Sequence, residues 1–481
     1  MSRRWQLLAV VSLGQFMVLL DTTVVALALP PVQRDLRAGA TQIEWVVSAY
    51  VLCFGGLMLL GGRLADRWGR RATLATGVTL FTLASLACGS ANTPAVLIAA
   101  RAVQGVGAAL LAPAALSMVT TSFAEGRERN TALGIFAALS GLGATLGVVV
   151  GGLVTDVLSW RWIFYVNLPV GVLVIAGILA FAPRSVARAG RGRPDVLGAL
   201  VVTAGLTLLV WATINITDHG WTSRWVLLPG AASVVLLVAF VTLERRLSDP
   251  LVPVGLFANR AMLGAAAGRL LTAGVQAAVL FLGSFYLQRA MAYSTLRAGL
   301  SFLPLGVVAI LVTFVIPRLM HRLGPQPVYV IGAAGSLLAL AWWAWAPEDG
   351  GYGGYILPAL LVLGVSMQAS TVPVNVVGIS DVPTELHGIA SAALTASFQI
   401  GTSLGVAVVA GPALSRVASA LRAGVPPPHA WSAGMRLGFA VATVVAALNL
   451  VNAFVLPRRS RTREVPWQTS VRPSDRATPT R

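Results

Sequence analysis

The chain has 481 residues, 56% of them hydrophobic and 11% charged, where soluble domains carry about 25% charged residues; no large soluble domain fits in it. Its net charge is +18 and every Lys/Arg-type base is arginine, which excludes a Gly-Lys-Ser/Thr phosphate loop and a lysine Schiff base. Two cysteines inside apolar segments (Cys53, Cys88) and four scattered histidines (His219, His321, His387, His429) exclude a disulfide framework, a thiolate metal site and a paired-histidine zinc motif.

Apolar runs of membrane-spanning length fall at about 6–29, 44–61, 73–91, 94–119, 131–157, 162–182, 196–216, 225–243, 261–288, 298–317, 328–346, 355–377, 389–411 and 434–456. The first imitates a secretory signal, with Arg3 and Arg4 before it and Ala26-Leu27-Ala28 within it. It is too long for a signal core and more spans follow, so it reads as the first transmembrane helix. Fourteen helices put both termini on one side. With that side taken as cytoplasmic, 24 of the 35 arginines fall inside, among them Arg63, Arg67, Arg70 and Arg71. The positive-inside rule therefore predicts cytoplasmic termini. The expected fold is all-α and polytopic: a six-helix bundle over 1–183, a cytoplasmic linker at 184–195, two additional spans with their following loop over 196–260, a second six-helix bundle over 261–456, and a polar, disordered cytoplasmic tail over 457–481.

An internal repeat supports two bundles. Gly143-Ala-Thr-Leu-Gly147-Val148 in the fifth run returns as Gly401-Thr-Ser-Leu-Gly405-Val406 in the thirteenth, and LADRWGRR at 64–71 is echoed by LMHRLGPQ at 319–326. Transporters commonly carry such symmetry, with the substrate site between the halves near the midplane.

Asp21 is an acid in the middle of the first run, and Arg101 is a base inside the fourth. Counting at ~1.5 Å per residue from the run ends places both roughly 11–12 Å below the outer boundary of a ~30 Å hydrocarbon core. They share a depth, so they can meet. A charge there costs about 2.5–3.5 kcal/mol on insertion scales. The pair either locks two helices or handles a proton: apolar surroundings favour the protonated acid, a neighbouring cation the ionised one, and a conformational change that alters their separation couples proton binding to shape. Glu44 and Asp156 lie at run ends and read as interfacial. Arg269, about eight residues into the ninth run, either snorkels to the cytoplasmic face or holds an anionic group of a substrate. Gln104, Gln368, Asn375 and Gln399 are candidate cavity residues because unsatisfied amides are costly in lipid. Phe281 and Phe285 are candidates for stacking on a substrate, with core packing as the plainer alternative.

Several motifs resemble those of the major facilitator superfamily, in its fourteen-span drug:proton antiporter branch. Gly62-Arg-Leu-Ala-Asp66-Arg67-Trp-Gly69-Arg70-Arg71 is similar to the loop signature between spans 2 and 3. Leu97-Ile-Ala-Ala-Arg101-Ala-Val-Gln104-Gly105-Val-Gly107 matches the span 4 motif, and Leu20-Asp21-Thr-Thr-Val-Val-Ala26-Leu-Ala-Leu-Pro30 resembles that of span 1, with Ala26 at the usual asparagine. Trp160-Arg-Trp-Ile-Phe-Tyr-Val-Asn167-Leu-Pro169-Val-Gly171 is the match most specific to the branch. The resemblance implies a proton-coupled exporter of amphipathic drugs or secondary metabolites in a bacterial cytoplasmic membrane. It needs no cofactor, a proton gradient being the energy source, and its partners are the substrate, protons and lipid. Asp21 would carry the proton and Arg101 tune it, while Gly62, Asp66, Arg67, Gly69 and Arg70 would form a cytoplasmic conformational latch. Gly143, Gly147, Gly151 and Gly152 keep the antiport motif of span 5, but Val148 stands where that motif has proline. The loss of the proline favours a second reading, a facilitator or importer without obligatory proton exchange. Scarce intramembrane acids imply one proton per cycle and a neutral or monocationic substrate. No nucleophile–base set points to an enzyme.

Overall fold

The structure is a computed structural model. It describes residues 2–123, 127–183, 195–220, 222–247, 250, 254–345, 351–380, 382–383 and 386–456. The linker expected at 184–195 (Asp195 apart) and the tail expected at 457–481 lie outside the described residues.

Fourteen long helices carry the chain: α1 Arg3–Asp35, α2 Ala40–Trp68, α3 Arg70–Gly89, α4 Pro94–Ser122, α5 Arg127–Val157, α6 Asn167–Phe181, α7 Val196–His219, α8 Arg224–Arg246, α9 Arg260–Phe285, α10 Thr295–Thr313, α11 Pro325–Ala344, α12 Leu357–Ser380, α13 His387–Arg422 and α14 Pro427–Val455. Thirteen of these regions are long and apolar enough to cross a membrane. The 31-residue α5 stands where the fifth span is expected and packs along α1. The first two helices overrun their apolar runs at both ends. Thus α1 continues through Pro30 and Pro31 to Asp35, because those prolines sit near its end, where few backbone bonds remain to be lost.

The packing is duplicated. In the first half α1 packs on α5 and α6, α4 on α2 and α3, and α3 on α6; in the second α9 packs on α13 and α14, α12 on α10 and α11, and α11 on α14. The glycines that signalled the repeat are the contact points. A Cβ on Gly143 would stand 2.9 Å from the Phe16 carbonyl oxygen, and one on Gly147 2.8 Å from that of Leu20. In the second bundle Gly401 sits against Leu270 and Gly405 against Gly274, again four residues apart. In lipid, where apolar burial drives nothing, such close backbone approach supplies the dispersion energy that holds helices together.

The bundles meet where α2 packs on α13 and α5 on α10. Hydrogen bonds between them cluster at the face opposite the termini. Asp156 at the end of α5 accepts the backbone N–H groups of Thr295 (2.9 Å) and Leu296 (2.8 Å) at the start of α10, favourable also for the helix dipole. Gln288 donates to the Leu27 carbonyl at 3.0 Å and Arg289 to that of Pro30 at 3.3 Å. Asp156 thus joins the bundles, beyond the interfacial position its sequence context suggests. The extra helices lie outside this frame: α7 packs on both α2 and α13, with α8 against α7. Tryptophans 68, 162, 225 and 345 are exposed near helix ends, where indole rings prefer the headgroup level.

Candidate functional site

The first bundle closes around one acid. Asp21 on α1 is fully buried, as is Arg101 on α4 with 1% exposure. Arg101 Nη1 lies 2.5 Å from Asp21 Oδ2, a short contact between opposite charges of the charge-assisted kind. Gln104, one turn after Arg101 on α4, donates to Asp21 Oδ1 at 2.9 Å. Asn167, the first residue of α6, reaches the same oxygen at 3.2 Å. Both amides also donate to Ser85 Oγ on α3, at 2.8 and 3.3 Å, and Ser85 donates to the Phe81 carbonyl. Arg101 further donates to Gln104 Oε1 at 2.7 Å and to the Val46 carbonyl of α2 at 3.2 Å, with its guanidinium carbon 4.1 Å from the Tyr50 ring centre.

Every helix of the bundle therefore contributes, with α5 touching α1 at Gly147 beside Leu20, the residue before Asp21. Removing either partner of such a buried pair leaves an uncompensated charge, a cost of about 3–5 kcal/mol. Its chemical capability is specific: Oδ2 can hold the guanidinium or a proton, and the amides on Oδ1 can follow either state with small adjustments.

Asp21 and Arg101 come together, a meeting that their spacing along the two runs allows. Gln104, expected in a cavity, instead has its amide committed to Asp21, Ser85 and Arg101, so it belongs to this network. Asn167 and Ser85 carried no assigned role in the sequence reading. Asn167 was detectable as the amide in the motif at 160–171, whereas nothing local marks Ser85.

The loop at 62–71 is organised differently from expectation. Gly69 has φ +92°, a conformation that favours glycine, and ends α2 directly before α3. The tight approach to α4 is at Gly61, whose Cβ would strike the Ala109 carbonyl, whereas a Cβ at Gly62 would stand a comfortable 3.7 Å from Pro113. Asp66 is 74% exposed and lies 4.0 Å from Arg70, a contact worth little in solvent. Helix-end bonds come from Arg71, expected to be plain topogenic charge. It donates to the carbonyls of Leu179 (2.9 Å) and Ala182 (3.2 Å) at the end of α6, which Arg3 also caps. Arg63 bonds the Pro250 carbonyl. Among the described residues, Asp66 forms no ion pair with the second bundle.

Of the remaining candidates, Phe281 and Phe285 are 1% and 0% exposed. They pack on each other at 5.1 Å, and Phe285 stacks on Trp431 at 5.4 Å, so they are core residues of the second bundle. Gln368 and Asn375 are half-buried on α12. Gln399 is 5% exposed and its Cβ faces Gly55 of α2. Arg269 does not snorkel: its guanidinium carbon lies 4.5 Å from the ring centre of Phe398, twelve residues into α13. Glu44, read as interfacial, is 1% exposed. Gly151 abuts Val24 of α1 and Gly152 abuts Thr295 and Leu296 of α10. The helix α5 runs unbroken through position 148, whose side chain is outside the described residues.

Comparison with known proteins agrees with this architecture. Solved structures of similar shape include an auto-inhibited POT family peptide transporter (TM-score 0.67, 16% identity, 99% of each chain). A bacterial homologue of the human lysosomal transporter Spinster, inward-facing and unoccupied, has a TM-score of 0.66 at 16% identity over 95% of this chain and 98% of that one. Among sequence relatives, the puromycin resistance protein pur8 of Streptomyces alboniger is 39% identical over 94% of this chain and 91% of its own length. The cephamycin export protein CmcT of Amycolatopsis lactamdurans is 38% identical over 82% of both. The lincomycin resistance protein of Streptomyces lincolnensis is 34% identical over 84% of this chain and 83% of that protein. The Major Facilitator Superfamily model matches residues 11–406, and the chain belongs to that family.

Proposed function

We propose that the protein exports small amphipathic compounds by exchange for protons, through alternating access of the two bundles. The observation that carries this is Asp21, the acid buried within the first bundle's transmembrane core, with one oxygen on Arg101 and the other on two amides. A proton and the guanidinium compete for Oδ2. A motion of α4 against α1 that lengthens the ion pair favours proton uptake, and its return favours release, so each proton state selects a conformation. The relatives named for puromycin and lincomycin resistance and for cephamycin export support outward transport of a small molecule. The termini face the cytoplasm of a bacterial plasma membrane, in keeping with the arginine bias. The hydrogen bonds at the opposite face then close the external side.

The reading takes one proton per cycle and a neutral or monocationic substrate. Exchange of a neutral compound for one proton moves net charge and gains ~2.3 kcal/mol per 100 mV. A facilitator or importer on the same fold is the second reading, favoured by Val148 in place of proline. Inside-out vesicles carrying a proton gradient decide between them. Drug-dependent proton release that disappears in Asp21→Asn, at matched protein level, is expected for antiport. Drug flux without proton movement identifies the facilitator. Release that survives the substitution removes Asp21 from the coupling role.

A further inference from the structure

We infer that Arg269 is a substrate-binding residue that selects amphipathic molecules bearing a carboxylate; this rests on the export reading above and replaces its neutral or monocationic charge class with net-neutral zwitterions and monoanionic acids.

The argument starts from geometry on α13. Gly401 and Gly405 of that helix contact α9, and Gln399 contacts Gly55 of α2, in the other bundle. Ile400, Leu404 and Ala407 pack with Leu52, Leu206, Val210 and Ile214 at the α7 side. At 100° per residue, Phe398 lies about 60° and Gln399 about 160° round from Gly401. Phe398 therefore lies on the arc of α13 between its contacts with α9 and with α2, on the side away from α7. Arg269 reaches that arc from α9 and lies over the Phe398 ring at 4.5 Å.

Among the described residues the cation forms no ion pair. The described residues of the second bundle, from 254 to 456, contain no Asp or Glu. Asp21 has both oxygens bonded within the first bundle. The Arg269 Nε is buried and has no hydrogen-bond partner. Arginine inside a membrane protein is retained where it faces an interior or a substrate path. Stacking on Phe398 occupies the face of the guanidinium and leaves its in-plane N–H groups open, the edge that grips a carboxylate through two parallel bonds. An amide or ester presents one neutral acceptor to the same edge, and a simple cation is repelled.

The test uses the full-length protein in nanodiscs of zwitterionic lipid, with N-dansyl-phenylalanine and its primary amide as probes and dansyl fluorescence as the readout. Wild type is expected to bind the acid at least about tenfold more tightly than the amide, the scale of one charge-assisted bond. R269Q should bind the two within about twofold of each other, and R269K, which keeps the charge without the planar fork, should fall between. Wild type that binds neither probe, binds both alike or prefers the amide overturns the inference, and so does an acid preference that survives R269Q. Should R269Q fail to fold, unchanged acid preference in R269K overturns it as well, since the fork is then dispensable. Failure of the export reading looks different: acid flux that depends on Arg269 but moves no protons, and is untouched by Asp21→Asn, leaves this inference standing without antiport.

Discussion

The two bundles share a skeleton and differ in chemistry. The contacts of Gly143 and Gly147 with Phe16 and Leu20 match those of Gly401 and Gly405 with Leu270 and Gly274, and this register sets Gln15 of α1 opposite Arg269 of α9. Around that frame the first bundle spends its polar groups on one fully paired acid. The second spends them on structure: Tyr329 donates to Asn449 at 2.6 Å, Asn449 to Thr272, and Asn452 to Tyr329 and the Gly264 carbonyl, tying α9, α11 and α14 together, while Arg269 stays without an acid. Packing can be duplicated because small residues at four-residue spacing fit any close helix pair. Ionisable groups cannot, because each has to be compensated where it stands.

The comparison can be broken most severely at the ion pair. Arg101→Ala should cost about 3–5 kcal/mol and sharply lower the yield of folded protein, because Asp21 is left buried and uncompensated. Adding Asp21→Asn should recover most of the folded protein without restoring proton-linked transport, a non-additivity read by size-exclusion yield and melting temperature. Among the described residues no comparable pair forms at Arg269, so Arg269→Gln should leave the melting temperature nearly unchanged.

Gly147→Val and Gly405→Val sharpen the symmetry. Each forces apart an equivalent helix pair and should destabilise by about 1–3 kcal/mol. Gly134→Ala, with nothing within 4 Å of the new Cβ, should be neutral or slightly stabilising through helix propensity. Similar losses at 147 and 405 would confirm a duplicated contact; a loss at only one would break it. Asn167→Ala removes one of two donors to Asp21 Oδ1 and should cost about 1–2 kcal/mol in thermal unfolding. Asp156→Asn weakens one clamp between the bundles and should cost about 0.5–1 kcal/mol; its clearer readout is a longer distance between spin labels on α5 and α10 at the face opposite the termini. Asp66→Asn should move stability by less than about 0.5 kcal/mol, given its exposure.

The sequence carried the all-helical, many-span architecture, the repeat and the meeting of Asp21 with Arg101, because each depends on periodicity or depth along a single helix. It failed where the answer depends on azimuth. Gln104 and Arg101 are three residues apart and share a face of α4, so Gln104 belonged with Asp21 once that face was known. Gly61 and Gly62 are neighbours in the chain, yet about 100° apart on α2, and only the helix packing reveals which abuts α4. Phe281 and Phe285 look identical to cavity residues in a linear pattern; the position of Trp431, far along the chain, makes them core. Arg71 and Arg3 read as topogenic charge because the carbonyls they bond belong to a helix end more than a hundred residues away.

One feature of the outer helices bears on how the bundles move. The helix α7 touches α2 in the first bundle and α13 in the second, with Thr203 against Gly56 on one side and Leu206, Val210 and Ile214 in the aliphatic cluster with Ala407 on the other. Under the proposed alternating access, rocking of α2 against α13 would either drag α7 with one bundle or slide it over the other. The Thr203 hydroxyl is bonded within α7 itself, and the aliphatic side chains and Gly56 offer no side-chain hydrogen bonds to break, so sliding over them would be shear at low cost. Packed on α2 and α13 at once, the same helix covers the seam between the bundles on that side, and under the export reading it would act there as a gasket against acyl chains.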